Sequence, residues 1–418
     1  MKKSETFKLK SISSDTLLAT VDMGMDSFTG YARCPDRSEI KTSDYANNHG
    51  GFQAYWEILV RTMKIKGLKQ IVLGFESTGP YARPLMHFFE GKRVRLVQVN
   101  PFHTKKLKEL TGNSPNKTDQ KDPKVIADII ELGHSLSVVI PKGAAAELRQ
   151  LSEARERANK RLTALFNQLH SLVFFSFPGF LQVIKDIKTK SALHLLKHYG
   201  NPQDLLALGP DSLIQVIKQT SRGRFGPEKA RALFEAATIW LSSGGGCDSV
   251  DLEIKEMVRA IENERSFVAQ LESRMPQYLK QIPYSSLLLS MKGVGLITVA
   301  GIIGEVSDFT HFKTQKEILK LAGIDLYEIS SGKHKGQRRI SKRGRPLLRK
   351  LLFFAAMNTI RKGGTMHQTY QKHLTKGMPR IKALIAIARK LLCIMLALVR
   401  TQSVFSVNRK TGFTAAAV

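Results

Sequence analysis

Four carboxylates in this sequence occur in an order that suits metal-dependent chemistry. Asp22 and Glu76 each end a short apolar run, and Asp119 and Asp122 lie three residues apart at the start of a helical pattern. Side chains three apart share one helix face, and strand ends of an α/β sheet are natural meeting points for side chains. Converging carboxylates repel one another unless a cation joins them, and Mg²⁺ prefers oxygen ligands. The spacing predicts a magnesium site formed by Asp22, Glu76, Asp119 and Asp122, suited to phosphoryl transfer.

Each of these acids also has an ordinary interpretation. Asp22 precedes Met23 and Gly24 and could belong to a turn, and Asp119 could cap a helix. These alternatives stay open for each acid taken singly. The combination favours the metal site, because acids end two buried strands of a very basic chain.

A second candidate region combines serines with a run of cations. Ser330 and Ser331 precede Gly332, and no acid occurs from there to Lys350. A serine hydroxyl is a weak nucleophile until it is activated, and nearby cations favour its alkoxide and stabilise charge on a phosphate. A solvated basic face and an inert loop serine remain alternatives. The predicted nucleic-acid contacts are Lys333, Lys335, Arg338, Arg339, Lys342, Arg343 and Arg345.

The elements that must position the acids alternate between two patterns. Short apolar runs at 17–22, 30–34, 70–75, 94–99 and 137–140 predict strands, and the segments 52–63, 80–89 and 123–132 predict helices. Strands interleaved with helices indicate an α/β layer with a mixed sheet.

The middle of the chain has the pattern of long helices. Apolar residues recur at spacings of three and four along 148–172 and again along 254–278, which predicts two narrow coiled-coil seams. The two helices could pair within one chain or across a dimer, and ordinary bundle helices are the alternative. Residues 178–250 resemble a small helical insert, and residues 401–418 are expected to form a flexible tail.

The composition restricts the partners. The net charge is +30, from 65 Lys and Arg against 35 Asp and Glu. This excess favours nucleic acid as the partner, with a membrane surface or a ribosomal role as alternatives.

The three cysteines form no C-x-x-C pair, which argues against a zinc knuckle or a disulfide framework and fits a reducing cytoplasm. The polar N-terminus does not predict a secretory signal. The apolar run 391–399 is too short to span a bilayer and predicts a core helix.

Two sets of motifs resemble the DEDD transposases of bacterial insertion sequences. The first set matches the N-terminal half of that family, and Pro123 stands where the family often has alanine. It comprises Val21 to Gly24, Gly74 to Gly79, Asn100-Pro101 and Lys117 to Asp122. The second set matches a later conserved domain of the same family. It comprises Gly293 to Gly295, Phe309 to Phe312, Leu321 to Ile324, Ser331 to Lys333, Ile340 to Gly344 and Ala388 to Leu392.

The resemblance implies both architecture and mechanism. Together with the apolar spacing it predicts an α/β plus α fold: an RNase H-like, Holliday-junction-resolvase-like domain at 10–143, a coiled-coil region with its insert at 144–282 and a mainly helical serine domain at 283–400. The insert lies outside the matched motifs. The resemblance implies that Asp22, Glu76, Asp119 and Asp122 hold Mg²⁺. It also implies a covalent link between DNA and Ser331, with Ser330 left open.

The resemblance further implies partners. It points to donor and target DNA, a structured guide RNA, and a dimer or tetramer in which the acids of one subunit act with the serine of another. Two other functions stay open: a junction nuclease that uses water at the same metal site, and a non-catalytic scaffold that binds nucleic acid by charge alone.

Overall fold

The computed structural model describes residues 12–76, 81–111, 122–138, 141–243, 248–328, 330–331, 334–336, 338–408 and 412–417. Asp119 and Lys333 of the predicted site lie outside the described residues. The chain divides into two compact units, Met1–Ile140 and Pro141–Val418.

The first unit is built on a six-stranded mixed sheet. Its strands are β1 (Thr16–Met23), β2 (Ser27–Arg33), β3 (Glu39–Ala46), β4 (Gln70–Glu76), β5 (Val94–Val99) and β6 (Ser135–Ser137), in the order β3-β2-β1-β4-β5-β6. Strands β1, β4 and β5 are parallel, and the other pairs are antiparallel. The predicted α/β layer with a mixed sheet is therefore confirmed. Strand β3 was not predicted. It is the outermost strand of the sheet, most of its residues are polar, and it contains no apolar run.

Helices cover both faces of this sheet. They are α1 (His49–Ile65), α2 (Arg83–Glu90), α3 (Pro101–Thr111) and α4 (Asp122–Glu131). Odd-numbered residues of β1, such as Val21, pack in one core with Phe52 and Leu85 of α1 and α2. Leu18, an even-numbered residue, packs in a second core with Ile126 of α4. Each face is thus closed by its own helices, because alternate side chains of a strand point to opposite sides.

The second unit contains two long antiparallel helices, α5 (Gly143–Ser176) and α11 (Asp248–Leu279). The Nε of Arg155 lies 2.6 Å from Oε1 of Glu272, and the Nε of Arg161 lies 3.0 Å from Oε1 of Glu264. Of the two predicted arrangements, pairing within one chain is therefore the observed one. Arg155 and Glu264 lie at positions where the apolar spacing of the two helices is interrupted by a charged residue, and each makes one of these ion pairs.

Five helices fill the segment between the two long ones. They are α6 (Pro178–Val183), α7 (Lys190–Tyr199), α8 (Pro202–Leu208), α9 (Pro210–Thr220) and α10 (Pro227–Ser242). They share a core with the adjoining halves of the long helices, including Leu169 and Ile254.

The remaining helices of the second unit form another core with the outer halves of α5 and α11. They are α12 (Ser285–Leu289), α13 (Leu296–Val306), α14 (Gln315–Ala322), α15 (Pro346–Thr359), α16 (His367–Thr375) and α17 (Arg380–Thr401), with a 3₁₀ turn at Phe309–His311. Residues 391–399 lie within α17 and contribute Leu391 and Met395 to this core, as predicted. Among the helices of the described ranges, none is both long and apolar enough to cross a membrane.

Short strands complete the second unit. They are β7 (Leu326–Tyr327), β8 (Ser330–Ser331), β9 (His334–Lys335), β10 (Arg339–Ile340), β11 (Ser403–Asn408) and β12 (Gly412–Ala417). Strand β11 pairs with β12 within residues 401–418, the segment that the sequence predicts as a flexible tail. The backbone N–H of Phe405 donates to Oγ of Ser290 at 2.8 Å, and Phe405 packs against the core, so the tail has a partner that its sequence alone does not reveal.

Candidate active site

Asp22 and Glu76 lie near the carboxyl ends of two neighbouring central strands, β1 and β4. Strands β1 and β4 are parallel, and their pairing runs from Thr16 with Gln70 to Val21 with Phe75. Asp22 and Glu76 are the next positions in that register, on strands about 4.8 Å apart. Both are partly exposed and lie on the sheet face covered by α4, because they continue the alternation of residues that pack under that helix. The strand register therefore puts the backbone positions of these two acids on neighbouring strands.

Helix α4 brings a third acid to these strand ends. The buried hydroxyl of Thr20, two residues before Asp22 on the same face, donates to the carbonyl oxygen of Pro123 at 2.7 Å. Asp122, the first residue of α4, precedes that anchored position. Gly74 lets the helix approach, because a Cβ there would lie 2.1 Å from Cδ1 of Ile130. We call Asp22, Glu76 and Asp122 the acidic edge.

The acidic edge combines three carboxylates with a nearby cation. The ammonium of Lys108, in α3, lies 2.5 Å from Oδ2 of Asp122, so one of the three carboxylates already forms an ion pair. All three acids offer oxygen, the ligand of hard cations. Within the ranges that the structure describes, no group of three or more His, Cys, Asp or Glu side chains is arranged to hold a metal ion. Asp119, the fourth predicted ligand, lies outside those ranges.

Sequence reasoning missed the residues that hold these acids in place. Besides Thr20 and Lys108, Asn47 joins the segments that follow the two strand ends. Its Nδ2 donates to the carbonyl oxygens of Gly24 at 2.9 Å, Met25 at 3.2 Å and Tyr81 at 3.2 Å. Neither a threonine in a buried strand nor an asparagine before a helix carries a distinctive signal. Their roles depend on contacts between residues that are 22 to 103 positions apart in sequence.

The candidate serines lie in a β-structured segment of the second unit, residues 326–340, which we call the serine arm. Strand β7 pairs with β10, and β8 pairs with β9, with Ser331 opposite His334 and Ser330 opposite Lys335. Both serines therefore belong to short strands and not to an irregular loop.

Most of the predicted basic contacts that the structure describes are exposed. Arg338, Arg339, Lys342 and Arg343 are exposed, and Arg338 also pairs with Glu328, its Nε 3.0 Å from Oε2. Arg345 is engaged further inside, because its guanidinium donates to the carbonyl oxygen of Glu305. Burial, and then the nearby Arg149, lower the pKa of Arg345 to about 10. Arg345 thus anchors the region that follows the arm.

The base of the serine arm is fixed by close backbone packing. Gly323 has a φ of +65°, and a Cβ on Gly344 would lie 2.3 Å from the backbone nitrogen of Gly323. The hydroxyl of Ser341 donates to the carboxylate of Asp325, and the N–H of Lys342 donates to the carbonyl oxygen of Gly323 at 2.9 Å. Two segments twenty residues apart are therefore interlocked where the arm begins and ends.

Comparisons with known proteins identify related transposases. A DEDD-type transposase family model matches residues 19–178, and a model described as the transposase IS116/IS110/IS902 family matches residues 285–371. An uncharacterized 43.6 kDa protein of insertion element IS110 from Streptomyces coelicolor is 25% identical over 72% of this chain and 75% of its own length. An uncharacterized 42 kDa protein of IS900 from Mycobacterium paratuberculosis is 23% identical, over 69% and 73%.

The fold and these matches define an enzyme that recombines DNA, a transposase. More narrowly, the chain belongs to the DEDD-type transposases of the IS110 family of insertion elements, as the sequence motifs predicted.

Proposed function

We propose that this transposase cuts and rejoins DNA at a Mg²⁺ site formed by Asp22, Glu76, Asp119 and Asp122. The observation that carries the proposal is the register of β1 and β4, which sets Asp22 beside Glu76 on the face where Asp122 begins α4. A divalent ion bound there would polarise the phosphate and stabilise charge on its attacking and leaving oxygens.

The protein's own residues prepare this edge. Thr20 fixes the start of α4, so that Asp122 keeps its place relative to Asp22. Lys108 neutralises Asp122, and its ammonium must leave that carboxylate when a divalent ion binds. Asn47 restrains the backbone that follows Asp22, which limits how far the acids can separate under their own repulsion.

In the proposed reaction Ser331 is the nucleophile, with Ser330 as the neighbouring alternative. Its Oγ forms a bond to phosphorus while the bond from phosphorus to a sugar oxygen breaks. The serine loses its proton and the departing sugar oxygen gains one. The phosphoserine ester conserves the energy of the broken bond, so attack by a DNA hydroxyl reseals the strand and restores the serine without ATP. The cations Lys333, Lys335, Arg338, Arg339, Lys342, Arg343 and Arg345 are proposed to neutralise the DNA backbone.

The proposal includes the assembly. Donor and target DNA are brought together by a dimer or tetramer, guided by a structured RNA and associated with the nucleoid. The α5–α11 pair acts as a coiled-coil spacer. The division into an RNase H-like domain (10–143), a coiled-coil region (144–282), a serine domain (283–400) and a tail (401–418) is part of the same proposal.

The serine assignment is tested by trapping the intermediate. We expect Ser331→Ala to abolish recombination while DNA binding is retained, because only the attacking atom is removed. The matched control is Ser330→Ala, at the adjacent position of the same strand. Mass spectrometry of wild-type protein with substrate DNA should recover a nucleotide on the peptide that contains Ser331.

Other results would redirect the proposal. A nucleotide on Ser330 would move the nucleophile by one residue. Strand cleavage by the Ser330→Ala/Ser331→Ala double variant would show that water attacks at the metal site, and full recombination by Ser331→Ala would refute the assignment.

A further inference from the structure

We infer that the second unit has a binding cavity for one unpaired nucleobase of a DNA strand. The cavity lies between α15, α17 and strand β10, and its volume is about 300 Å³. Phe353 and Phe354 from α15, Ile385 from α17 and Ile340 from β10 contribute to its lining. This volume is at the lower end of the range of small-molecule sites.

The lining suits a flat, apolar ligand. Apart from two cations, Arg349 and Lys350, the cavity is lined by apolar side chains. Phe354 is 48% exposed, so part of its ring is open to solvent at the cavity. Every base has a π-face, and stacking on aromatic side chains is how proteins bind unpaired bases without reading sequence. A base entering the cavity would cover Phe354.

Charge favours a nucleic-acid strand over a protein segment. The Nζ of Lys350 lies 6.0 Å from the ring centre of Phe354 and 2.8 Å from Oε2 of Glu156, and the exposed Arg339 is adjacent to Ile340 in β10. A phosphate backbone beside the cavity would meet Arg339 and would compete with Glu156 for Lys350, whereas an apolar helix docked there would desolvate these charged groups and offer no charge in return. The net charge of +30 also favours a nucleic-acid strand as the ligand.

The position of the cavity links it to the proposed function, on which the inference rests. Ile340 ends the serine arm, and its register partner is Leu326 at the other end of the arm. A base held by Phe354 would therefore fix its strand at the base of the segment that carries Ser331. Strand exchange needs unpaired bases, because the cut strand must leave its complement before it is rejoined.

The test compares two DNA duplexes with the full-length protein in EDTA, so no cleavage is required. One duplex contains a single bulged thymine, and the other contains an abasic site at that position. Fluorescence anisotropy should show that wild-type protein binds the thymine duplex about tenfold more tightly, as expected for one base–aromatic stack. Phe354→Ala should remove this difference. The matched control Phe175→Ala, at a residue 69% exposed on α5 and outside the cavity lining, should retain it.

A second variant fills the cavity while Phe354 is kept. Ile385→Trp should also remove the difference, and circular dichroism should show that its helical content is unchanged. Equal binding of the two duplexes by wild-type protein would overturn the inference, as would equal effects of Phe354→Ala and Phe175→Ala. Discrimination with an RNA version of the probe and not with DNA would also overturn it.

One further outcome identifies a protein partner instead. If Phe354→Ala changes the oligomeric mass in light scattering and leaves base discrimination intact, the cavity is a contact between copies. Because these measurements use EDTA, a failure of the metal or serine proposals would leave their result unaffected.

Discussion

The acidic edge and the serine arm are held by different kinds of structure. The acidic edge lies on two central strands of a six-stranded sheet and on a helix whose start is bonded to one of them. The serine arm consists of two-residue strands and is fixed mainly at its base, through Gly323, Gly344 and the bond from Ser341 to Asp325. In the proposed mechanism the carboxylates must stay close despite their repulsion and so need a packed scaffold, whereas the serine must meet DNA and needs a defined point of attachment.

The largest expected effect concerns the acidic edge. Asp22→Asn should abolish recombination, because an amide offers a cation no negative charge, while the fold and DNA binding should be retained. The matched control is Asp44→Asn on β3, an exposed acid of the same sheet whose Oδ1 accepts from the hydroxyl of Thr29 at 2.6 Å. Recombination and binding are measured on the same preparations. If both variants recombine DNA at the wild-type rate, the acidic edge has no role in the chemistry.

A second prediction concerns the attachment of the serine arm. Gly344→Ala places a methyl group against the backbone of Gly323 and Leu321, and backbone cannot move aside as a flexible side chain can. The free energy of unfolding should fall by about 1–3 kcal/mol, as for overpacked sites, and recombination should fall further than DNA binding. Chemical denaturation and recombination assays measure the two effects.

The control for that variant is Gly295→Ala, because an added Cβ there meets no atom within 4 Å. Full stability and activity of Gly344→Ala would show that the arm does not depend on its base, and the comparison above would fail.

The smallest expected effect concerns the cation at the acidic edge. Lys108→Met should strengthen binding of Mg²⁺ by up to about fivefold, because an ion pair with one partner more than a third exposed contributes little. Calorimetric titration at low and moderate salt measures the change, which should shrink as salt screens the charges. Lys106→Met is the matched control, since Lys106 pairs with Glu109 on the same helix at 2.7 Å. Unchanged affinity in Lys108→Met would mean that Lys108 does not compete with the ion.

Sequence patterns predicted the central strands of the sheet and the family. Strands β1 and β4 were recognisable because both of their faces are buried, which gives continuous apolar runs. Strand β3 and the tail strands were missed, because an edge strand with polar alternation and a tail paired with itself show no such run. The long helices were predicted, but their pairing within one chain is seen only in the structure, where Arg155 and Arg161 of one helix form ion pairs with the other.

The sequence by itself determined which residues could do chemistry: the order of the acids, the serines before a run of cations, and a net charge that favours polyanions. These depend on side-chain type and local spacing, which a linear chain displays directly. Only the tertiary structure decided that β1 pairs with β4 in the register that sets Asp22 beside Glu76, and that Thr20 meets Pro123 across 103 residues. Strand register and long-range hydrogen bonds arise from the packing of the whole core, so no local pattern contains them.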